Sequence, residues 1–189
     1  MSTDRPDMSR PGAEGATGSV AGSVAASGTA HLGARDPATR LHPGPARATL
    51  PVEIRRALVA HARAEYPNEA CGLIAGTAAA AAGGSATSWH VTRNRAASPR
   101  RYEIHPDDVL RVMLATDDAG EAIWAIVHSH VRSPARPSRT DVGLALYPNA
   151  LYVLVSLSDA EADPVTGAES VRAWRIVDGQ VFEVGLDIT

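Results

Sequence analysis

Lysine is absent from this chain of 189 residues, and all 18 basic residues are arginine. That absence excludes lysine chemistry such as a Schiff base or the phosphate-binding lysine of a P-loop. The single cysteine, Cys71, excludes an intramolecular disulfide and a cysteine-rich metal cluster. Aromatic residues make up only 4% of the chain, so a core must be built mainly from Val, Leu, Ile and Ala. The net charge of −3 provides no overall basic surface for nucleic acid.

Long hydrophobic runs are also missing. No stretch approaches the roughly 18 apolar residues that a transmembrane helix requires. The first residues mix acidic and basic side chains without an apolar block of about 7–15 residues, so we expect no secretory signal. These features predict a cytoplasmic protein that binds neither membrane nor nucleic acid.

Residues 1–48 differ in composition from the rest of the chain. Gly, Ala, Ser, Pro and Arg fill most of this segment, which holds no Phe, Trp or Tyr. Such a segment cannot bury enough apolar area to offset the entropy of ordering it, so we predict a disordered tail. A single folded domain is then expected over residues 49–189.

The remainder of the chain alternates helix and strand signals. Helices are predicted after Pro51, after Pro106 (with Val109, Val112 and Met113 facing the core) and at Ser138. Residues 77–88, all Ala, Gly, Ser or Thr, are predicted to form a loop. Strands are expected at residues 71–75, 89–92, 101–104, 123–128 and 151–157, with a closing hairpin of 171–177 and 180–184 around Asp178-Gly179. This order predicts an α/β (α+β) fold, a mixed sheet with helices packed on it.

Two histidines separated by one residue, His128 and His130, carry the strongest chemical signal. Side chains at positions i and i+2 of an extended segment project to the same face, so both imidazoles can bind one ion. Asp141 can add an oxygen ligand after the chain turns through Pro134 and Pro137. Three such ligands leave a fourth position for water, as in catalytic rather than structural zinc sites. The pattern therefore predicts one zinc ion with an activated water as its fourth ligand.

This segment is also compatible with other structures and families. Ser138 and Asp141 also have the spacing of a capping box, which is compatible with metal binding because a helix N-terminus can present both residues while they cap it. Chance occurrence of the joint pattern at this composition is about one in a thousand. An amidohydrolase barrel needs about 250 residues. The metallo-β-lactamase pattern requires Asp and His where Val131 and Arg132 stand.

The spacing His-Ser/Thr-His-x7-Ser-x2-Asp resembles the motif of the JAMM (MPN-plus) zinc metalloprotease family. The family's upstream glutamate corresponds to Glu69, within residues 67–76, which resemble its Pro-x-Glu-x-Cys-Gly-x3-Gly segment. The resemblance covers about residues 50–185. The residues that match the motif are His128, Ser129, His130, Ser138 and Asp141.

Three further segments are similar to one bacterial branch, the CysO-cysteine peptidases (Mec-type), which remove cysteine from a ubiquitin-like sulfur-carrier protein. These are residues 137–142, 152–156 and 174–179. The resemblance implies a JAB/MPN-type, cytidine-deaminase-like mixed sheet flanked by helices. It also implies a carrier partner with a C-terminal Gly-Gly tail. A deconjugating isopeptidase for another ubiquitin-like modifier and a non-catalytic MPN scaffold remain the alternatives.

The resemblance also implies a role for each site residue. His128, His130 and Asp141 would hold zinc. Glu69 would accept a proton from the attacking water and deliver it to the leaving amine. Ser138 would donate its hydroxyl to the oxyanion of the tetrahedral intermediate.

Neighbouring residues are given structural roles. Ser129 should point to the opposite face of the strand from the two histidines. Cys71 is predicted to be an inert buried thiol. Asn94 matches a family asparagine and is predicted to form a turn. The sequence leaves open whether three arginines contact substrate or only keep their loop solvated: Arg132, Arg136 and Arg139.

Overall fold

A computed structural model describes residues 44–162 and 168–189, and most of the predicted tail lies outside them. The described chain forms one seven-stranded sheet in the order β1-β7-β6-β5-β4-β2-β3. The strands are β1 (Arg47–Leu50), β2 (Cys71–Gly76), β3 (Ala86–Thr92), β4 (Ala122–His130), β5 (Leu151–Ser156), β6 (Ser170–Val177) and β7 (Gln180–Ile188). The α-helices are α1 (Val52–Glu65), α2 (Pro106–Asp118) and α3 (Arg139–Gly143), and short 3₁₀ helices occupy Ala80–Ala82 and Asp159–Glu161.

The sheet is mixed, as the sequence predicts. β1 pairs with β7 and β4 pairs with β5 in parallel, while the other neighbours are antiparallel. β6 and β7 form the predicted hairpin around Asp178 and Gly179, both of which have positive φ. The predicted fold class is therefore confirmed.

The core occupies both faces of this sheet. Neighbouring residues of a strand point to opposite faces, so Ile74 packs in the cluster beneath α1 and Leu73 in the cluster that contains Val112 of α2. In α1 the buried residues recur at helical spacing, and each large one contributes about 1.5–3 kcal/mol on burial. They are Ile54, Leu58, Val59 and Ala62. None of the helices among the described residues is long and apolar enough to span a membrane.

The sheet begins at Arg47, two residues before the predicted domain start, because β1 obtains its hydrogen bonds and its Arg47–Asp187 ion pair from distant β7. Three local predictions are wrong. β3 begins at Ala86, inside the predicted loop 77–88, since an edge strand paired only with β2 accepts small polar residues. Residues 101–104 form no strand beyond one bridge between Asn94 and Ile104. Met113 is 43% exposed, because α2 buries only a narrow stripe.

Candidate metal centre

The end of strand β4 and the first turn of helix α3 bring three candidate ligands together. His128 Nε2 lies 3.2 Å from His130 Nε2 and 3.5 Å from Asp141 Oδ1. His130 Nε2 lies 3.5 Å from Asp141 Oδ2. All three residues are at most 8% exposed, and their donor atoms lie within 4.8 Å of one another. The predicted His-His-Asp cluster is therefore present in the fold.

A hydrogen bond orients the His130 imidazole with Nε2 toward the centre of the cluster. His130 Nδ1–H donates to the carbonyl oxygen of Pro134 at 2.6 Å, which assigns the tautomer with a free lone pair on Nε2. Burial lowers the pKa of His128 and keeps its ring neutral, although Asp141 opposes this shift. Burial also acts to lower the pKa of His130, but Asp141 and the Pro134 carbonyl outweigh it, so that pKa is raised.

Asp141 is fixed by the capping box that the sequence predicts. The backbone N–H of Ser138 donates to Asp141 Oδ2 at 2.6 Å, and the backbone N–H of Asp141 donates to Ser138 Oγ at 3.2 Å. Burial acts to raise the pKa of Asp141, but the two imidazoles and Ser138 outweigh it and hold that pKa well below its usual range. Two nitrogen donors and an ionised carboxylate, all buried and converging, fit a zinc ion.

Glu69 reaches the cluster through the pairing of β2 with β4. Cys71 is opposite His128 in the antiparallel register, and Glu69, two residues before Cys71, lines the same pocket as His130. Just beyond Cys71, Ala70 N–H donates to Ser129 Oγ at 2.8 Å, and Ser129 N–H donates to the Ala70 carbonyl at 2.9 Å. Ser129 therefore connects β4 to the residue before β2 by hydrogen bonds, with its side chain on the face opposite the histidines. This agrees with its predicted structural role.

The carboxyl group of Glu69 is itself buried, with the residue only 4% exposed. Burial raises its pKa to about 7, with His130 opposing and Asp141 reinforcing the shift. A carboxyl group with a pKa near 7 can both accept and return a proton near neutral pH. Cys71, two residues later, has its thiol pKa raised to about 11 by burial and contacts Thr92 Oγ1 at 3.3 Å, which fits the predicted inert thiol.

The loop between β3 and α2 holds the segment that carries Glu69. Asn94 Nδ2 donates to the carbonyl oxygens of Glu69 and Arg101 at 2.9 and 3.2 Å. Its Oδ1 accepts from the backbone N–H groups of Ala96 and Glu103, each at 3.0 Å. Asn94 therefore uses its full hydrogen-bonding capacity on backbone groups. The predicted turn role is confirmed, and the contact with Glu69 is a further role that the sequence does not indicate.

Two further features around His128 could not be predicted from the sequence. The ring of Tyr102 stacks on its imidazole, with centroids 4.2 Å apart and planes 18° apart. Three buried nitrogen atoms have no hydrogen-bond partner among the described residues: His128 Nδ1, His61 Nε2 and Trp89 Nε1. Their side chains line one cavity. The volume of that cavity that the centre of a water molecule can reach is about 10 Å³, which is close to the minimum needed to hold one water molecule.

A pocket of about 450 Å³ opens beside the cluster. Glu69, His130 and Ser138 line it, together with Arg100 and Arg132. The hydroxyl oxygen of Ser138 accepts from Asp141 N–H, which leaves the hydroxyl proton free to donate into the pocket. The five residues predicted for the site therefore lie around one opening or directly beneath it.

Comparisons with known proteins show what the chain is similar to. The family model described as prokaryotic homologs of the JAB domain matches residues 51–177. The chain is 39% identical over 137 residues to the CysO-cysteine peptidase of Mycobacterium tuberculosis, a match that covers 72% of this chain and 87% of the relative. It is 33% identical over 115 residues to the desampylase of Haloferax volcanii, covering 58% and 81%. The solution structure of a protein from Desulfitobacterium hafniense has a TM-score of 0.63 at 28% identity, covering 75% of this chain and 92% of that one.

The matched segment contains the whole candidate centre, from Glu69 to Asp141. The resemblance to JAMM (MPN-plus) proteins, and within them to the CysO-cysteine peptidases, is confirmed by these matches. The chain belongs to the family of prokaryotic homologs of the JAB domain.

Proposed function

We propose that the protein is a zinc-dependent peptidase that hydrolyses the C-terminal amide of a ubiquitin-like sulfur-carrier protein and releases cysteine. The observation that carries the proposal is that buried Glu69 lines the same pocket as His130 of the His-His-Asp cluster. Similarity to a CysO-cysteine peptidase supports the choice of substrate. In this proposal the carrier ends in a flexible Gly-Gly tail, which is thin enough to enter the pocket.

The metal would be held by His128, His130 and Asp141. A zinc ion bound there supplies Lewis acidity, which polarises the scissile carbonyl and makes water more acidic. Asp141 remains ionised and His128 remains neutral, which are the forms that bind zinc. The bond from His130 to Pro134 fixes the ring that lies nearest the opening.

Glu69 would move the protons of the reaction. Its carboxylate accepts a proton from the attacking water and later donates it to the amine that leaves. Burial favours the neutral carboxylic acid enough that donation is accessible near neutral pH. Ser138 donates its hydroxyl to the oxygen that becomes negatively charged as water attacks, a contribution of about 3 kcal/mol for a single oxyanion donor.

A mass measurement tests the proposal. The zinc-loaded protein is incubated with a carrier ending in Gly-Gly-Cys, with and without a chelator, and the carrier should lose the mass of one cysteine residue only when zinc is present. Glu69→Gln should abolish turnover and retain zinc. An unchanged carrier mass with the zinc-loaded wild-type protein would remove the proposed substrate, and full activity of Glu69→Gln would remove the role of Glu69.

A second candidate is a deconjugating isopeptidase acting on another ubiquitin-like modifier. It is favoured by the 33% identity to a desampylase. A modifier joined to a lysine side chain, supplied in the same assay, separates the two functions. A non-catalytic scaffold fits less well, because the described residues include all three ligand positions and the glutamate.

A further inference from the structure

Two arginines face the pocket that holds the proposed catalytic groups. Arg100 comes from the loop between β3 and α2, and Arg132 from the segment between β4 and α3, so they approach from different parts of the chain. Both are exposed to solvent at the pocket. Among the described residues that line it, Glu69 is the only acidic one. The opening therefore carries an excess of positive charge beside the cluster.

Neither guanidinium has an acidic partner in the part of the chain that the structure describes. Among the described residues, the ion pairs and side-chain hydrogen bonds of arginine involve other positions, such as Arg93 with Asp108 and Arg172 with Glu183. Arg100 and Arg132 take part in none of them. Arginine binds carboxylates in a two-pronged geometry that lysine cannot reproduce. Two such groups at one pocket suit an anionic part of a substrate.

The chemistry of the leaving residue brings an anion to that location. When a C-terminal residue leaves, its amine nitrogen and its carboxylate carbon are both bonded to the same Cα. With bonds of about 1.46 and 1.52 Å and an angle of about 111°, these two atoms are about 2.5 Å apart. The acid that protonates the amine and the cations that bind the carboxylate must therefore share one pocket, as Glu69, Arg100 and Arg132 do.

We propose that Arg100 and Arg132 bind the α-carboxylate of the departing residue and so select substrates that end in a free acid next to the scissile amide. This inference rests on the proposed function. The reaction is carrier–CO–NH–R plus water to carrier–COO⁻ plus ⁺H₃N–R, where R carries the free carboxylate. The C–N bond breaks, a C–O bond forms, and both protons of the water end on the amine.

This specificity disfavours an isopeptide substrate. A lysine side chain that leaves from an isopeptide bond carries no carboxylate next to its nitrogen. Its binding would leave both guanidinium groups without an anion, and the binding free energy of the free acid would be lost. The two arginines therefore select among the substrates that the catalytic groups could otherwise cleave.

The test compares two carriers that differ in one group. One ends in Gly-Gly-Cys with a free acid and the other in Gly-Gly-cysteinamide, which has the same shape but no charge. The wild-type protein should show a kcat/KM about 10- to 100-fold higher for the acid, and Arg132→Gln and Arg100→Gln should each reduce that preference about 10-fold or more. Turnover of the amide should change little. Arg101→Gln, a neighbouring exposed arginine that does not line the pocket, is the matched control and should keep the full preference.

Equal turnover of acid and amide by the wild-type protein would overturn the inference, as would Arg variants that slow both substrates equally. A binding measurement separates this failure from failure of the proposed function. Zinc-loaded Glu69→Gln is titrated with both carriers, and tighter binding of the acid that disappears with Arg132→Gln supports the carboxylate site even if neither carrier is cleaved. Equal binding of both carriers would remove the site by a route that does not depend on turnover.

Discussion

The side-chain amide of Asn94 donates a 2.9 Å hydrogen bond to the backbone carbonyl of Glu69. The bond joins the β3–α2 loop to the residue that we propose moves the protons. The backbone N–H of Glu69 donates to the carbonyl of Ser98, in the same loop, at 2.9 Å. Glu69 is thus held on both sides of its Cα by one loop, whose own shape depends on Asn94.

Replacing Asn94 by Asp should misplace Glu69. The substitution keeps the acceptor for Ala96 and Glu103 but removes the donor to the carbonyls of Glu69 and Arg101. A shift of about 1 Å in a catalytic group can cost about 100-fold in rate. We expect kcat/KM to fall about 10- to 100-fold with zinc content unchanged. Arg95→Gln, in the same loop, should retain activity. Normal activity of Asn94→Asp would show that the hydrogen bond does not position Glu69.

Tyr102 should affect metal affinity rather than the chemical step. Its ring stacks on His128 at a centroid distance of 4.2 Å, and aromatic pairs contribute about 0.5–1.5 kcal/mol beyond their burial. Tyr102→Leu should therefore weaken zinc binding about 2- to 10-fold in a chelator competition. Tyr102→Phe keeps the ring and should bind zinc as the wild-type protein does. Equal affinity of the Leu and Phe variants would contradict this role.

The local part of the site could be predicted from sequence, because it depends on short spacings. Alternation in an extended strand places His128 and His130 on one face, and the Ser138–Asp141 spacing gives the capping box. Glu69 could be identified only by family resemblance, since its position depends on pairing between β2 and β4, more than fifty residues apart in sequence. No local pattern encodes that register.

Tyr102 was missed for a related reason. The alternation of polar and apolar residues at 101–104 is typical of a strand, but these residues have no strand partner beyond the single bridge at Ile104. They instead form a loop in which the Tyr102 ring stacks on the imidazole of His128. Tertiary contacts decide such a segment, because alternation alone specifies a face and not a partner.

Asp108 should make stability depend on acid pH. Hydrogen bonds from the side chain and backbone of Arg93 lower the pKa of Asp108 to about 2, from a usual value of 3.8. Between these values the unfolded chain binds more protons than the folded one, so the stabilisation is complete above about pH 4 and is lost as pH falls through about 2.

The prediction concerns the difference between the wild-type protein and Asp108→Asn. Denaturant unfolding at pH 6 should show the wild-type protein to be more stable than Asp108→Asn. The difference in their free energies of unfolding should become smaller as the pH falls from 4 to 2. Asp118→Asn removes a charge from the same helix and controls for the change in net charge. A difference that stays constant over this range would contradict the assignment to Asp108.

Ser129 should contribute to both stability and activity. Its hydroxyl accepts from the buried N–H of Ala70, and Ser129→Ala would leave that donor unsatisfied at a cost of about 1–3 kcal/mol in unfolding free energy. Because Ala70 precedes β2 and follows Glu69, kcat should also fall. Ser129→Thr retains the hydroxyl and should recover most of both losses. Equal stability of the Ala variant and the wild-type protein would show that the bond to Ala70 is not needed.

Zinc should stabilise the fold through the same three side chains. A ligand that binds only the folded state adds about 2.7 kcal/mol at a free concentration of 100 times its Kd, which corresponds to a rise of about 5–10 °C in Tm for a domain of this size. Asp141→Asn removes the anionic ligand and should abolish most of the rise, while Ser138→Ala keeps all three ligands and should retain it.

Each variant is compared with its own metal-free form, since Asp141 also pairs with the imidazoles and the N–H of Ser138 without metal. A rise of the same size in Asp141→Asn would place the ion elsewhere, because the cluster would then lack the charge that balances the cation.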